Sequence, residues 1–87
     1  MKYHLIWADK KVLKTFQGFS VDARERLEQA IVKLSSDPRP SGVKALSGKL
    51  KGSWRMRVGD FRIIYDVDDR SKSVILLDIG HRKHIYR

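Results

Sequence analysis

The chain contains no cysteine, so it has neither a disulfide framework nor a thiolate metal site. No apolar run exceeds about four residues, Val74-Ile75-Leu76-Leu77 being typical. Nothing approaches the ~20 residues of a membrane span, and the first residues lack the apolar stretch of a signal peptide. The expected location is the cytoplasm, with no membrane partner. Prolines number two, both in the segment 38–53, which also holds three of the six glycines. That segment reads as a loop, anchored by Val43, Leu46 and Leu50.

Acids are scarce. Ten Asp and Glu stand against nineteen Lys and Arg, giving a net charge of +9 and a pI near 10.2. Such a balance points to a polyanionic partner. The charge is concentrated. Residues 49–62 carry Lys49, Lys51, Arg55, Arg57 and Arg62 against Asp60, and residues 80–87 carry Arg82, Lys83 and Arg87 with no acid. The segment 20–37 is close to balance, with four acids against three bases. Eighty-seven residues with 41% hydrophobic content make one globular domain, 1–87, with a modest core.

The most informative stretch is Trp54-Arg55-Met56-Arg57-Val58-Gly59-Asp60-Phe61-Arg62-Ile63-Ile64-Tyr65. Apolar and polar residues alternate on both sides of a Gly-Asp break, which predicts a β-hairpin. With Gly59 and Asp60 as loop residues, Val58 pairs with Phe61, Arg57 with Arg62, Met56 with Ile63, Arg55 with Ile64 and Trp54 with Tyr65. One face is then wholly apolar and the other holds three arginines. Two of these oppose each other, at a cost of a few tenths to ~1 kcal/mol. A sequence that keeps that cost has an anion to place there.

The remaining elements follow from periodicity. Tyr3–Trp7 alternates and reads as a strand at or near a sheet edge. Asp9 is a helix N-cap, Val12, Leu13 and Phe16 lie at helical spacing, and Gly18 suits a left-handed C′ position. Ser20 caps a second helix, with Ala23, Leu27, Ala30, Ile31 and Leu34 as its apolar stripe and Asp37-Pro38 as its end. Residues 66–73 read as a polar turn; its aspartates lack the spacing of a calcium loop. Val74–Ile79 is the last strand, with Ile75, Leu77 and Ile79 facing the helices and Gly80 ending it. The order predicts an α+β fold: an N-terminal strand, a two-helix hairpin and a three-stranded antiparallel meander. Helices cover one sheet face, and the arginines occupy the other.

The block Gly52 to Tyr65, followed by Ile79-Gly80-His81-Arg82-Lys83-His84-Ile85-Tyr86-Arg87, resembles the RelE/ParE superfamily of toxin–antitoxin toxins, and within it the RelE branch. The resemblance covers essentially the whole chain. It implies a ribosome-dependent endoribonuclease that cuts mRNA in the ribosomal A site. Cleavage would use neither metal nor cofactor: the ribose 2′-OH attacks the neighbouring phosphate and the 5′-oxygen leaves. It also implies a cognate antitoxin that blocks the toxin, with operator DNA contacted only through the antitoxin complex. An acidic or amphipathic antitoxin segment would complement the basic face. Arg55, Arg57, Arg62 and Arg82 match the family's basic site residues, and Tyr86 matches its C-terminal tyrosine.

One departure matters. RelE relatives carry lysines where this chain has Arg55 and Arg57, and arginine is a poor base. His81 and His84 are therefore expected as proton-transfer groups. Lys49, Lys51, Lys83, His84 and Arg87 are expected to bind RNA phosphate, as are Lys10, Lys11, Lys14 and Lys44. Two other functions compete: a ParE-like DNA gyrase inhibitor that acts by binding alone, and a nucleic-acid-binding module without catalysis.

Overall fold

The hairpin forms in the register its sequence dictates. In a computed structural model, which describes residues 2–81, strand β3 (Trp54–Val58) pairs antiparallel with β4 (Phe61–Asp68). Trp54 lies opposite Tyr65, Arg55 opposite Ile64, Met56 opposite Ile63, Arg57 opposite Arg62 and Val58 opposite Phe61. Gly59 has φ +58° while Asp60 keeps a negative φ, the pattern of a type II′ turn that puts glycine first. A Cβ on Gly59 would meet nothing within 4 Å, so the constraint there is purely one of backbone conformation. Gly59→Ala is expected to cost about 1–2 kcal/mol, read as a lower urea midpoint at unchanged m-value.

Strand β5 (Ser73–His81) pairs antiparallel with β4 along its other edge, and β1 (His4–Trp7) pairs parallel with β5. A two-residue strand, β2 (Lys44–Ala45), flanks β3. The sheet order is β1-β5-β4-β3-β2, so β1 is an edge strand as expected. The segment 38–53 is therefore more than a loop: it contains β2 and a 3₁₀ turn, Gly48–Leu50. Within it Val43 and Leu46 are half-buried, but Leu50 is 41% exposed and anchors nothing.

Helix α1 (Lys10–Gln17) starts at Asp9, whose side chain accepts from the Val12 N–H at 3.0 Å. Helix α2 (Val21–Ser36) starts at Ser20, whose Oγ accepts from the Ala23 N–H at 3.2 Å. Gly18 does not take the left-handed conformation the sequence led us to expect. It stays right-handed (φ −81°, ψ −8°), and its N–H donates to the Lys14 and Thr15 carbonyls. The chain thus tightens directly into the second helix. Both helices lie on one face of the sheet, α1 over β5 and β1 and α2 across β1, β3 and β5. No helix among the described residues is long and apolar enough to cross a membrane.

The core consists of Val12, Leu27, Ile31 and Leu34 from the helices and Ile63, Tyr65, Val74, Leu76 and Ile79 from the sheet. Trp7, Trp54, Met56, Val58 and Phe61 pack around it, half-buried. On β5 the expected alternation fails. Val74 and Leu76 are buried, whereas Ile75 and Leu77 are only half-buried. A bulge explains the change of phase. Ile64 pairs with Asp78 but Tyr65 pairs with Leu76, leaving Leu77 as the extra residue. Before the bulge the even-numbered residues face the helices, and after it Ile79 does. The turn between β4 and β5 is also shorter than 66–73, because Asp66–Asp68 and Ser73 belong to strands. Asp68 accepts from the Arg70 and Ser71 N–H groups inside that turn, which holds its carboxyl below the usual range. Gly80 does not end β5; it pairs with Arg62.

Two polar ties fasten the periphery. Arg39 Nη2 meets Asp69 Oδ2 at 2.7 Å, and the Tyr3 hydroxyl donates to Asp69 Oδ1 at 2.6 Å, so that first Arg39 and then Tyr3 lower the Asp69 pKa. The Tyr65 hydroxyl donates to the Pro38 carbonyl at 2.8 Å, and burial pushes its phenol up to about 12 from the ordinary 10.0. Between those two values the unfolded chain loses this proton while the folded chain keeps it. Stability is therefore full below pH 10 and falls as pH rises toward 12. Tyr65→Phe is expected to remove this component. The gap in urea midpoint between wild type and variant at pH 9, worth about 1 kcal/mol for the lost hydrogen bond, should shrink as the pH passes 11.

Candidate nucleic-acid interface

Strand alternation decides which side chains share the face away from the helices. On β3 and β4 the core side is Trp54, Met56, Val58, Phe61, Ile63 and Tyr65. Arg55, Arg57, Arg62, Ile64 and Asp66 therefore lie on the opposite face. Three cross-strand rows result. Nearest the hairpin tip, Arg57 stands opposite Arg62, which stands opposite Gly80, a position with no side chain. Two residues along, Lys44 of β2 stands opposite Arg55, followed by Ile64 and Asp78. In the third row the Ser53 hydroxyl donates to the Asp66 carboxylate, which pairs in register with Ile75.

The first two rows place four cationic side chains on one surface. Ile64 is 2% exposed although it lies on this face, so its neighbours cover it. Those neighbours are Arg55 and Asp78 across the sheet and Arg62 and Asp66 along the strand. Arg62 and Arg55 are half-buried, and Arg57 and Lys44 are exposed. The Arg62 guanidinium is itself partly covered, with Nε and Nη1 buried, whereas Arg57 and Lys44 reach solvent. Planar forks on a pleated surface suit phosphate oxygens.

The structure brings Arg55, Arg57 and Arg62 together as the sequence led us to expect. It does not bring His81 to them. His81 pairs with Phe61, and the two rings meet edge-on with centroids 5.8 Å apart. His81 thus lines an apolar recess on the helix side with Thr15, Phe19, Phe61 and Ile79. Lys49 and Lys51 lie in and just after the 3₁₀ turn, at the end of β3 remote from the hairpin tip. Arg82, Lys83, His84, Tyr86 and Arg87 lie outside the described residues. Lys44 is the residue whose placement the sequence hid: a two-residue strand is too short to show a period.

A five-stranded sheet is thus backed by two helices on one face and left open and cationic on the other. Residues 10–86 match the family described as the ParE toxin of type II toxin–antitoxin systems. Toxin RelG of Mycobacterium tuberculosis is 38% identical over 61 residues, covering 70% of this chain and 69% of that one. Among solved structures, the archaeal RelE–RelB complex from Pyrococcus horikoshii matches with a TM-score of 0.81 at 28% identity, over 97% of this chain and 99% of that chain. The RelBE2 toxin–antitoxin complex of Mycobacterium tuberculosis matches with a TM-score of 0.82 at 22% identity, over 94% and 93%. The isolated RelE toxin of E. coli matches with a TM-score of 0.77 at 22% identity, over 91% and 83%. The chain belongs to the RelE/ParE superfamily of type II toxin–antitoxin toxins, in its RelE branch.

Proposed function

We propose that this toxin is an endoribonuclease that cleaves mRNA in the ribosomal A site and is neutralised by a cognate antitoxin. The observation that carries the reading is the row pairing Arg57 with Arg62, with Arg55 one row along the same open face. In-line attack of a ribose 2′-OH on the adjacent phosphorus forms the 2′-O–P bond and breaks the P–O5′ bond. It leaves a 2′,3′-cyclic phosphate and a 5′-hydroxyl. Charge accumulates on the non-bridging oxygens, and guanidinium forks fixed beforehand stabilise it without reorganising. Arg57 and Arg62 take this role, and Arg82 joins them by its match to the family motif.

The 2′-OH must lose a proton and the 5′-oxygen must gain one. Arginine serves poorly for the first step, so the proposal gives proton transfer to the tail groups Tyr86 and His84. His81, turned toward Phe61, is assigned a supporting place at the end of β5. Lys49, Lys51, Lys83 and Arg87 contribute phosphate contacts of the kind that position without specifying. The antitoxin is expected to present an acidic or amphipathic segment. The RelE structures solved as complexes with RelB are consistent with such a partner. Operator DNA would be reached only through that complex.

The second reading, inhibition of DNA gyrase by binding alone, draws on the ParE description of the matching family. Inducing the toxin without its antitoxin and mapping mRNA 5′ ends on stalled ribosomes separates the two. In-frame A-site cuts establish the ribonuclease; intact mRNA with a supercoiling defect establishes gyrase inhibition.

A further inference from the structure

We propose that the open face holds two successive phosphates of one RNA strand, the second of them gripped by Lys44 together with Arg55. This rests on the ribonuclease reading only for the identity of the first phosphate, which lies on Arg57 and Arg62. Three features carry it. Lys44 is fixed by pairing with Arg55, so it belongs to the sheet surface and not to a loop. The row Lys44–Arg55 lies two residues from the row Arg57–Arg62 along β3. Two residues of antiparallel strand span about 6.8 Å, close to the repeat of one nucleotide in an extended single strand. In the Lys44–Arg55 row the one acid, Asp78, stands beyond Ile64 on β5, whereas the next row has an acid and no cation, with the Asp66 carboxylate held by the Ser53 hydroxyl. A third phosphate on the sheet would meet that carboxylate, so the cationic track ends after two.

The arrangement divides the labour. Arg57 and Arg62 face the phosphate that reacts. Lys44 and Arg55 hold the neighbouring one and fix the position of the strand along β3. Lys44 is exposed and far from the helical core, so its replacement leaves the fold intact.

The test uses the full-length toxin and 2′-O-methyl oligoribonucleotides, which bind without being cut, titrated at low salt and followed by NMR. A dinucleotide has one internal phosphate, a trinucleotide two and a tetranucleotide three. The second phosphate is expected to raise affinity about fivefold to tenfold, the scale of two exposed ion pairs. The third should add less than the second. Lys44→Ala should at least halve the gain from the second phosphate while leaving dinucleotide affinity unchanged, Arg55→Ala should lower that gain as well, and Lys44→Arg should restore it. Equal loss for dinucleotide and trinucleotide in Lys44→Ala, or no gain from the second phosphate in wild type, overturns the proposal. So does a third phosphate that adds as much as the second. A toxin that shows the two-phosphate pattern but leaves mRNA intact on ribosomes keeps this site and loses the ribonuclease reading. One that cuts mRNA with no such pattern does the reverse.

Discussion

Arg62→Ala is expected to slow A-site cleavage on programmed ribosomes by about 10²–10³-fold, the usual effect of removing one prearranged donor from a developing oxyanion. Arg62 sits in the middle of the first cationic row, with Arg57 on one side and the bare Gly80 position on the other. An anion placed there meets one guanidinium on β3 and another on β4. Loss of either leaves the phosphorane half-served. The double variant with Arg57→Ala should fall short of the product of the two single losses, because both groups act on the same charge. Arg62→Lys separates charge from geometry. It keeps a stem over Ile64 and a positive charge but loses the planar fork, so an intermediate rate is expected. Arg57→Ala should leave the thermal midpoint unchanged or slightly raised, since it relieves the repulsion across the strand pair. A cleavage rate within threefold of wild type in Arg62→Ala would remove this residue from the active site.

The largest expected effect on stability is that of Leu27→Ala. Leu27 is fully buried at the centre of the α2 stripe, within the cluster formed with Ile63, Tyr65 and Leu76. Truncating a leucine in such a place costs about 3–5 kcal/mol, since the cavity collapses only partly. In a chain of this size each kcal/mol moves the midpoint by roughly 4–8 °C, so scanning calorimetry should record a drop of more than about 12 °C. Val32→Ala, one residue beyond Ile31 on the exposed side of the same helix, should move it little. Equal midpoints for Leu27→Ala and wild type would mean that α2 does not seat on the sheet.

The hairpin was legible to the residue because two runs of period two, broken only by Ile64 on the outer face, meet at a Gly-Asp pair. That pair leaves one turn type and hence one register. The strand β5 was not legible in phase. Val74-Ile75-Leu76-Leu77 is apolar on both faces, so composition does not distinguish an inward from an outward residue. The bulge at Leu77 that sets the phase depends on the partner strand. The side taken by His81 was, by contrast, within reach. It shares its parity with Ile79, which faces the helices, and only the motif around Arg82 drew it toward the arginines. Lys44 needed the fold itself, because β2 exists only where β3 offers it an edge.

The parallel pairing of β1 with β5 has a consequence for the order of assembly. It joins His4 to Ser73 and Trp7 to Leu76, contacts that span most of the chain. The hairpin of β3 and β4 is local in sequence, whereas closure of this long loop carries its entropic cost before any contact offsets it. A nascent toxin lacking β5 has no Val74, Leu76 or Ile79 to receive α1 and α2, and its arginine ribbon has no backing. The sheet that presents the cations is complete only once the last strand has been synthesised. An incomplete chain is thus denied the backed cationic surface of the finished protein.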